Sequence, residues 1–252
     1  MPQAYDSLAE WFEYLNDDCD YPRWSQYFID GLTAMNAGRK GLEMGCGSGA
    51  FCRALTKRGY CMTGADVSPS MIARAQVRAR EEGCTVTYVL ADAVKFRSPE
   101  KYDFILSPND CFNYLPKEKL KTALRRMADA LKEGGIFWFD VSSEYKLRTK
   151  VANNMSVDDR DEVTYLAVNE DCGDSVRLNV TLFVKEKGEK YRRLDEVHVQ
   201  YVYSEKELLS ALYEVGFDVL SVEGHLGEEK EGSDRLNFIC RKGRKNNFAI
   251  KK

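Results

Sequence analysis

Hydrophobic and polar positions recur with two different periods along this chain, and the change of period divides it. Near the start, Leu8, Trp11, Phe12 and Leu15 stand at i, i+3, i+4 and i+7, one face of a helix. Residues 16–20 break that pattern, and a second helix is predicted from about Pro22 to Leu32. From Gly41 short apolar runs alternate with helical stripes. The runs at 41–44, 60–65, 85–90, 102–106 and 136–141 read as strands. Helices are predicted at about 50–58, from Ser68-Pro69 to Glu82, and from Pro116 through Leu120, Leu124, Met127 and Leu131 to a close at Gly134-Gly135. Ser68 suits an N-cap and Pro69 the first helical position. Strands alternating with helices imply a parallel sheet covered on both faces, and the run IFWFDV at 136–141 is apolar enough for such burial.

The alternation stops near Tyr145. Residues 145–161 are polar, and an irregular solvated loop is expected there. Three long period-two runs follow, Val163 to Asn169, Val176 to Lys185 and Tyr191 to Tyr203. Gly173-Asp174 and Gly188-Glu189 between them are turn signals, so the segment reads as an inserted antiparallel meander. Ser204 to Glu207 is a capping box for a helix carrying Leu208, Leu212 and Val215. Phe217 to Val222 and Leu236 to Arg241 read as a closing strand pair. The expected organisation is an aromatic helical cap at 1–37, an α/β domain at 38–144 and 204–243, a β insertion at 145–203 and a basic tail at 244–252.

Composition narrows the function classes. The chain has 252 residues, 44% of them hydrophobic and 31% charged, which suits one or two folded domains. A net charge of -3 argues against a large nucleic-acid footprint. No apolar run reaches the roughly 18 residues of a membrane helix. Met1 to Glu10 lacks the basic and apolar regions of a secretion signal, so a cytoplasmic location is expected. The eight cysteines include no C-x-x-C pair, and the two histidines, His198 and His225, lie far apart. No metal site is expected. Asp110 with Asp140 is the one pair that suggests a magnesium site, yet Asp140 lies within a strand and no clear third ligand is evident.

The most informative stretch is Glu43-Met44-Gly45-Cys46-Gly47-Ser48-Gly49, between the first strand and its helix. Glycines let the backbone turn tightly and approach a ligand, and the helix behind offers unpaired N–H groups. Asp66 ends the second strand, where a carboxylate accepts ribose hydroxyls. Two adenosine cofactors compete for this geometry. Gly45-x-Gly47-x-x-Ala50 also fits the dinucleotide fingerprint, which keeps an NAD-dependent oxidoreductase as an alternative. Glu43 repels a pyrophosphate but can order the amino-acid end of S-adenosylmethionine, and a third glycine at Gly49 also favours the methyl donor.

With these residues in place, the chain resembles the class I S-adenosylmethionine-dependent methyltransferases. The resemblance rests on E-x-G-x-G-x-G at 43–49, ADVSPSMI at 65–72, ADA at 91–93, YDFILS at 102–107 and LKEGG at 131–135. The start and the meander are similar to a bacterial subgroup of small methyltransferases, of the methyltransferase domain 25 or type 11 kind, whose β insertion covers the substrate site. The resemblance implies a Rossmann-like α/β fold with a seven-stranded mixed sheet. It also implies S-adenosylmethionine as cofactor and S-adenosylhomocysteine as product. Carried over by position, Gly45, Cys46, Gly47 and Gly49 line the methionine and ribose part, and Asp66 holds the ribose. Val67, Met71, Asp92 and Ala93 then meet the adenine, and Ser107 lies near the sulfonium.

Methyl transfer from a sulfonium is an in-line displacement that needs alignment and exclusion of water more than a strong base. An aromatic lid suits the cation. Tyr5, Trp11, Tyr14, Tyr21 and Trp24 are candidates, with Tyr14 and Tyr21 also able to hydrogen-bond; the alternative is a hydrophobic seam on the sheet. After the fourth strand the chain reads Ser107-Pro108-Asn109-Asp110, where base and glutamine methyltransferases usually carry an aromatic at the fourth position. Asn109, Asp110, Asn113 and Tyr114 are therefore candidates for a polar acceptor, or for turn formation and capping. In the last meander strand Glu196, His198 and Gln200 share one face. His198 and Glu196 are the candidate bases and Gln200 a substrate contact, if that face looks into the cleft. The reading is a methyltransferase acting on nitrogen or oxygen of a small polar molecule, as monomer or homodimer, without a membrane or nucleic-acid partner. The same residues also leave room for an RNA methyltransferase or a non-catalytic S-adenosylmethionine-binding protein.

Overall fold

The computed structural model describes residues 8–17 and 19–243. Tyr5 and the basic tail 244–252 lie outside the described residues. Strands β1 (Lys40–Met44), β2 (Cys61–Asp66), β3 (Thr87–Leu90), β4 (Tyr102–Ser107) and β5 (Leu131–Ser142) join β10 (Phe217–Glu223) and β11 (Arg235–Lys242) in one seven-stranded sheet. Its order is β10-β11-β5-β4-β1-β2-β3. All neighbours are parallel except β11, which runs antiparallel to both β5 and β10. The chain winds outward through β1, β2 and β3, then crosses β1 to begin again at β4. The ends of β1 and β4 therefore diverge at a switch point, where open α/β sheets leave a crevice.

Alternation along β5 decides what each face holds. Phe137, Phe139 and Val141 point to one side, into a core with Leu120, Leu124 and Met127 of α5 (Lys117–Ala130) and Leu208 and Leu212 of α7 (Glu205–Glu214). Ile136 and Trp138 point to the other, toward α2 (Tyr21–Ala34) and α3 (Ala50–Thr56) with Trp24, Phe28, Leu32, Phe51 and Leu55. Gly31 is what lets α2 lie on the Trp138 ring, since a Cβ there would stand 2.4 Å from it. Helix α4 (Pro69–Glu81) begins as its sequence suggested, with Ser68 Oγ accepting from the Met71 N–H at 3.2 Å.

The insertion is a second, four-stranded antiparallel sheet of order β6-β7-β8-β9. Three strands fall where alternation placed them: β7 (Val163–Asp171), β8 (Ser175–Lys185) and β9 (Tyr191–Tyr201). The fourth corrects the expected loop at 145–161. A short helix α6 (Glu144–Lys146) runs into a wider π-type turn at Leu147–Val151, and β6 (Met155–Asp159) adds an edge strand. The sequence MSVDD hides it, because an edge strand with one bare side needs few apolar residues. Two further boundaries differ. Helix α5 stops at Ala130, and Gly134-Gly135 lie inside β5, where Gly134 takes φ +75°. The first helix expected in the N-terminal cap is also two pieces rather than one. Leu8–Glu10 is a 3-10 turn and α1 (Phe12–Leu15) a single helical turn, and together they pack on the inner face of the insertion rather than on the main sheet.

Candidate active site

Chemistry has room at the switch point, in a cavity of about 450 Å³. The turn after β1 forms its floor. Gly45, Gly47 and Gly49 take φ of +77°, +50° and +81°, a region that L side chains rarely enter. At Gly45 a Cβ would strike Cys111 Sγ at 2.3 Å, so close approach as well as φ demands glycine. At Gly47 a Cβ would project into the open cleft, with only Phe12 at 4.0 Å. Gly49 plays a different part from the one expected. It does not line the cavity; it precedes α3 and lies against the Tyr88 hydroxyl, 2.3 Å from where a Cβ would stand.

Asp66 fixes the shape of this turn. Its Oδ2 accepts from the Gly47 N–H at 2.8 Å and its Oδ1 from the Ser68 N–H at 2.9 Å. Burial raises its pKa, against these backbone donors. Val67, Met71, Asp92 and Ala93 line the same cavity beyond it. Asp92 Oδ1 caps its own loop by accepting from the Val94 N–H at 2.8 Å. Tyr21 reaches the cavity from α2, its ring edge-on to Phe51 at 5.2 Å. Tyr14 does not: it stands 41% exposed, with the Arg160 guanidinium 5.1 Å from its ring centre. Ser107 is also withdrawn from the cleft. It is fully buried, and its hydroxyl donates to the Met44 carbonyl at 2.8 Å, tying β4 to β1.

Glu43 is the unusual member of the floor. It is 1% exposed, and burial pushes its carboxyl up to about 8, against hydrogen bonds from Cys52. Among the described residues its Oε2 has no hydrogen-bond partner. An orphaned carboxyl oxygen at the end of a glycine cradle, with a ribose-competent carboxylate across from it, fits an adenosine cofactor that brings its own polar groups.

A second cavity of about 430 Å³ lies between the main sheet and the insertion. Phe12, Asn109 and Tyr114 line both cavities and so stand at the boundary between them. Asn109 and Asp110 hold consecutive positive φ values, +63° and +51°, which non-glycine residues seldom adopt. Arg235, on β11, pins this loop. Its Nη2 donates to Asn109 Oδ1 at 3.3 Å, and its Nη1 faces Asp110 Oδ1 at 3.5 Å and pairs with Asp140. The Trp24 ring lies 5.1 Å from the guanidinium. The two carboxylates that suggested a magnesium site thus share an arginine. Burial works to raise the pKa of Asp110, and Arg235, Lys146, Ser142 and Gln200 outweigh it, holding it below the ordinary range. For Asp140 burial prevails, with the Asp110 charge adding to it against Arg235.

Strand β9 supplies the opposite wall. The period-two reading holds in space: Glu196, His198 and Gln200 are all buried on the inner face. His198 and Gln200 line the second cavity, whereas Glu196 stands behind, its Oε2 3.0 Å from His198 Nε2 and its Oε1 accepting from the Leu8 N–H at 2.9 Å. Gln200 Nε2 donates to Asp110 Oδ2 at 2.7 Å. The alternate residues Val199 and Tyr201 line the first cavity, so one strand serves both. Asn113 is corrected from a substrate contact to a brace. It is fully buried, its amide donates to the Ser142 and Tyr201 carbonyls, and its Oδ1 accepts from the Ser142 N–H. Sequence reasoning missed Arg235 and Lys146. The visible signal for the first was a charged residue opening the mostly apolar run LNFIC.

Residues 42–135 match a family model described as a methyltransferase domain. A protein of Geobacillus sp. (strain WCH70) that carries a provisional methyltransferase name is 30% identical over 248 residues, covering 95% of this chain and all of that one. The crystal structure of an S-adenosylmethionine-dependent methyltransferase from Clostridium acetobutylicum ATCC 824 superposes with a TM-score of 0.87 at 27% identity, over 96% of this chain and 100% of that one. The sugar N-methyltransferase KedS8 from Streptoalloteichus sp. ATCC 53650 shares the fold, with a TM-score of 0.80 at 18% identity, over 97% and 94% of the two chains.

Proposed function

Because the chain belongs to the class I S-adenosylmethionine-dependent methyltransferases, we propose that it methylates a nitrogen or oxygen of a small polar acceptor held in the second cavity. That membership displaces the nicotinamide oxidoreductase reading. The observation that carries the proposal is a shared boundary: among the described residues Phe12, Asn109 and Tyr114 line both cavities, so the two lie side by side. A displacement in line needs donor and nucleophile to approach each other across such a boundary.

The donor's sulfonium supplies an electrophilic methyl group. Gly45, Cys46 and Gly47 would hold its methionine portion, with Glu43 offering its free oxygen near the amino end. Asp66 keeps lone pairs for the ribose beyond those spent on Gly47 and Ser68. Val67, Met71, Asp92 and Ala93 would enclose the adenine, and Tyr21 would close the cleft. On the other side Asn109, Asp110, Tyr114 and Gln200 would orient the acceptor. His198 would accept its proton, held in position by Glu196. A protonated amine needs such a base, and a sugar N-methyltransferase of the same fold is compatible with an amine acceptor.

Calorimetry with S-adenosylmethionine tests the cofactor side. Micromolar binding, weakened at least tenfold by Asp66→Ala, is expected. Transfer of labelled methyl to a panel of small amines, amino sugars and hydroxylated acids tests the rest. His198→Asn should lower kcat with little change in the affinity for S-adenosylhomocysteine. Label appearing only in RNA would sink the small-acceptor reading.

A further inference from the structure

We infer that the acceptor carries a carboxylate and that Lys146 holds it; the inference rests on the second cavity being the acceptor site. Among the described residues five charged side chains line that cavity: Lys146, Lys150, Arg235, Asp110 and Asp158. Four have a counterion already. Lys150 pairs with Asp234 at 2.7 Å and Asp158 with Arg160 at 2.7 Å, while Arg235 lies between Asp110 and Asp140. Lys146 differs. Among the described residues no carboxylate stands within 4 Å of its ammonium, and its one hydrogen bond goes to Ser142 Oγ at 3.3 Å.

An ammonium has three N–H donors, and one that is half-buried has lost part of its water. A ligand anion restores what burial removed. Asp110 serves that purpose only at a distance: the two charges attract, but its oxygens are hydrogen-bonded elsewhere. Oδ2 accepts from Ser142 Oγ at 3.0 Å and from Gln200 at 2.7 Å, and Oδ1 faces Arg235. A single lysine with this aspartate nearby suits one negative charge rather than a phosphate dianion. The position of Lys146 sets the shape of the ligand. Its ammonium, Ser142, Asp110, Gln200 and the Tyr114 hydroxyl form one hydrogen-bonded chain that ends at the boundary with the first cavity. The acceptor therefore presents its nucleophile at the Tyr114 end and its carboxylate at the lysine end. Leu178 and Val180 offer an apolar wall for the body between them.

The test uses the full chain saturated with S-adenosylhomocysteine and two matched probe pairs: 4-aminobenzoate with 4-aminobenzamide, and 6-aminohexanoate with 6-aminohexanamide. Calorimetry should show an acid binding at least ten times more tightly than its amide in at least one pair. Lys146→Gln should erase that preference and Lys146→Glu reverse it, with affinity for S-adenosylhomocysteine unchanged in both. Equal binding of acid and amide, a preference that survives Lys146→Gln, or no binding by either pair overturns the inference. Leu178→Trp separates the two levels. Acid binding that persists with the cavity filled refutes the acceptor-site reading, whereas binding lost there but indifferent to charge refutes only the role of Lys146.

Discussion

Replacing Glu43 by glutamine should flatten the pH dependence of stability. The carboxyl has an ordinary value of 4.5, and burial lifts it to about 8 in the folded chain. Between those two values the folded state keeps a proton that the unfolded state has released. Stability is therefore fully present below pH 4.5 and declines as pH rises toward 8. The slope is about 1.4 kcal/mol per pH unit, so the loss over the window is on the order of 5 kcal/mol as an upper bound. The amide keeps the shape and the acceptor for Cys52 but cannot ionise. It adds one buried donor without a partner, at a cost of about 1–3 kcal/mol that does not depend on pH. The variant should thus be less stable than the wild type at pH 5, and the two curves should converge or cross by pH 8. Urea denaturation of cofactor-free protein at half-unit pH steps measures both curves, and other titrating groups cancel in the difference. Parallel curves would show that Glu43 does not hold its proton, and the argument from burial would fall.

Further outcomes follow from the same contacts. Arg235→Met strips the charge partner from two buried carboxylates, and a loss of about 3–5 kcal/mol at pH 7 is expected in chemical denaturation. The loss should shrink as pH falls and both acids protonate, and Asp140→Asn in the same chain should recover part of it. Gly49→Ala forces a side chain into φ +81° against the Tyr88 hydroxyl; a destabilisation of about 1–3 kcal/mol should appear as a lower urea midpoint. Asn113→Ala orphans two carbonyls and an N–H between β5 and β9, costing on the order of 3 kcal/mol. Hydrogen exchange should then accelerate at Ser142 if that brace is what closes the N–H.

Much of the main sheet was legible because its local signals agree with one another. Period-two strands, capped helices and glycine turns all point to one parallel arrangement, and each depends on neighbours in sequence. The inner face of β9 was legible for the same reason, since a strand cannot present Glu196 and His198 to opposite sides. Strand β6 was not, because an exposed edge takes almost any polar sequence. Tyr14, Ser107 and Asn113 were placed at the site from the sequence, yet their side chains turn away from it, and Gly49 lies behind the cradle against Tyr88. A motif fixes backbone proximity to the cleft, and a rotamer or a nearby carbonyl decides where the side chain goes.

The sequence by itself determined the order of strands and helices, the glycine cradle and the carboxylate that shapes it, since these arise within about twenty residues of chain. Only the tertiary structure decided the acceptor side. Phe12, Asn109, Tyr114, Lys146, His198 and Arg235 come from five separate stretches, brought together where the cap, the switch-point loop, the insertion and an antiparallel strand converge. No local period encodes that meeting, because the distances that matter are set by how two sheets pack.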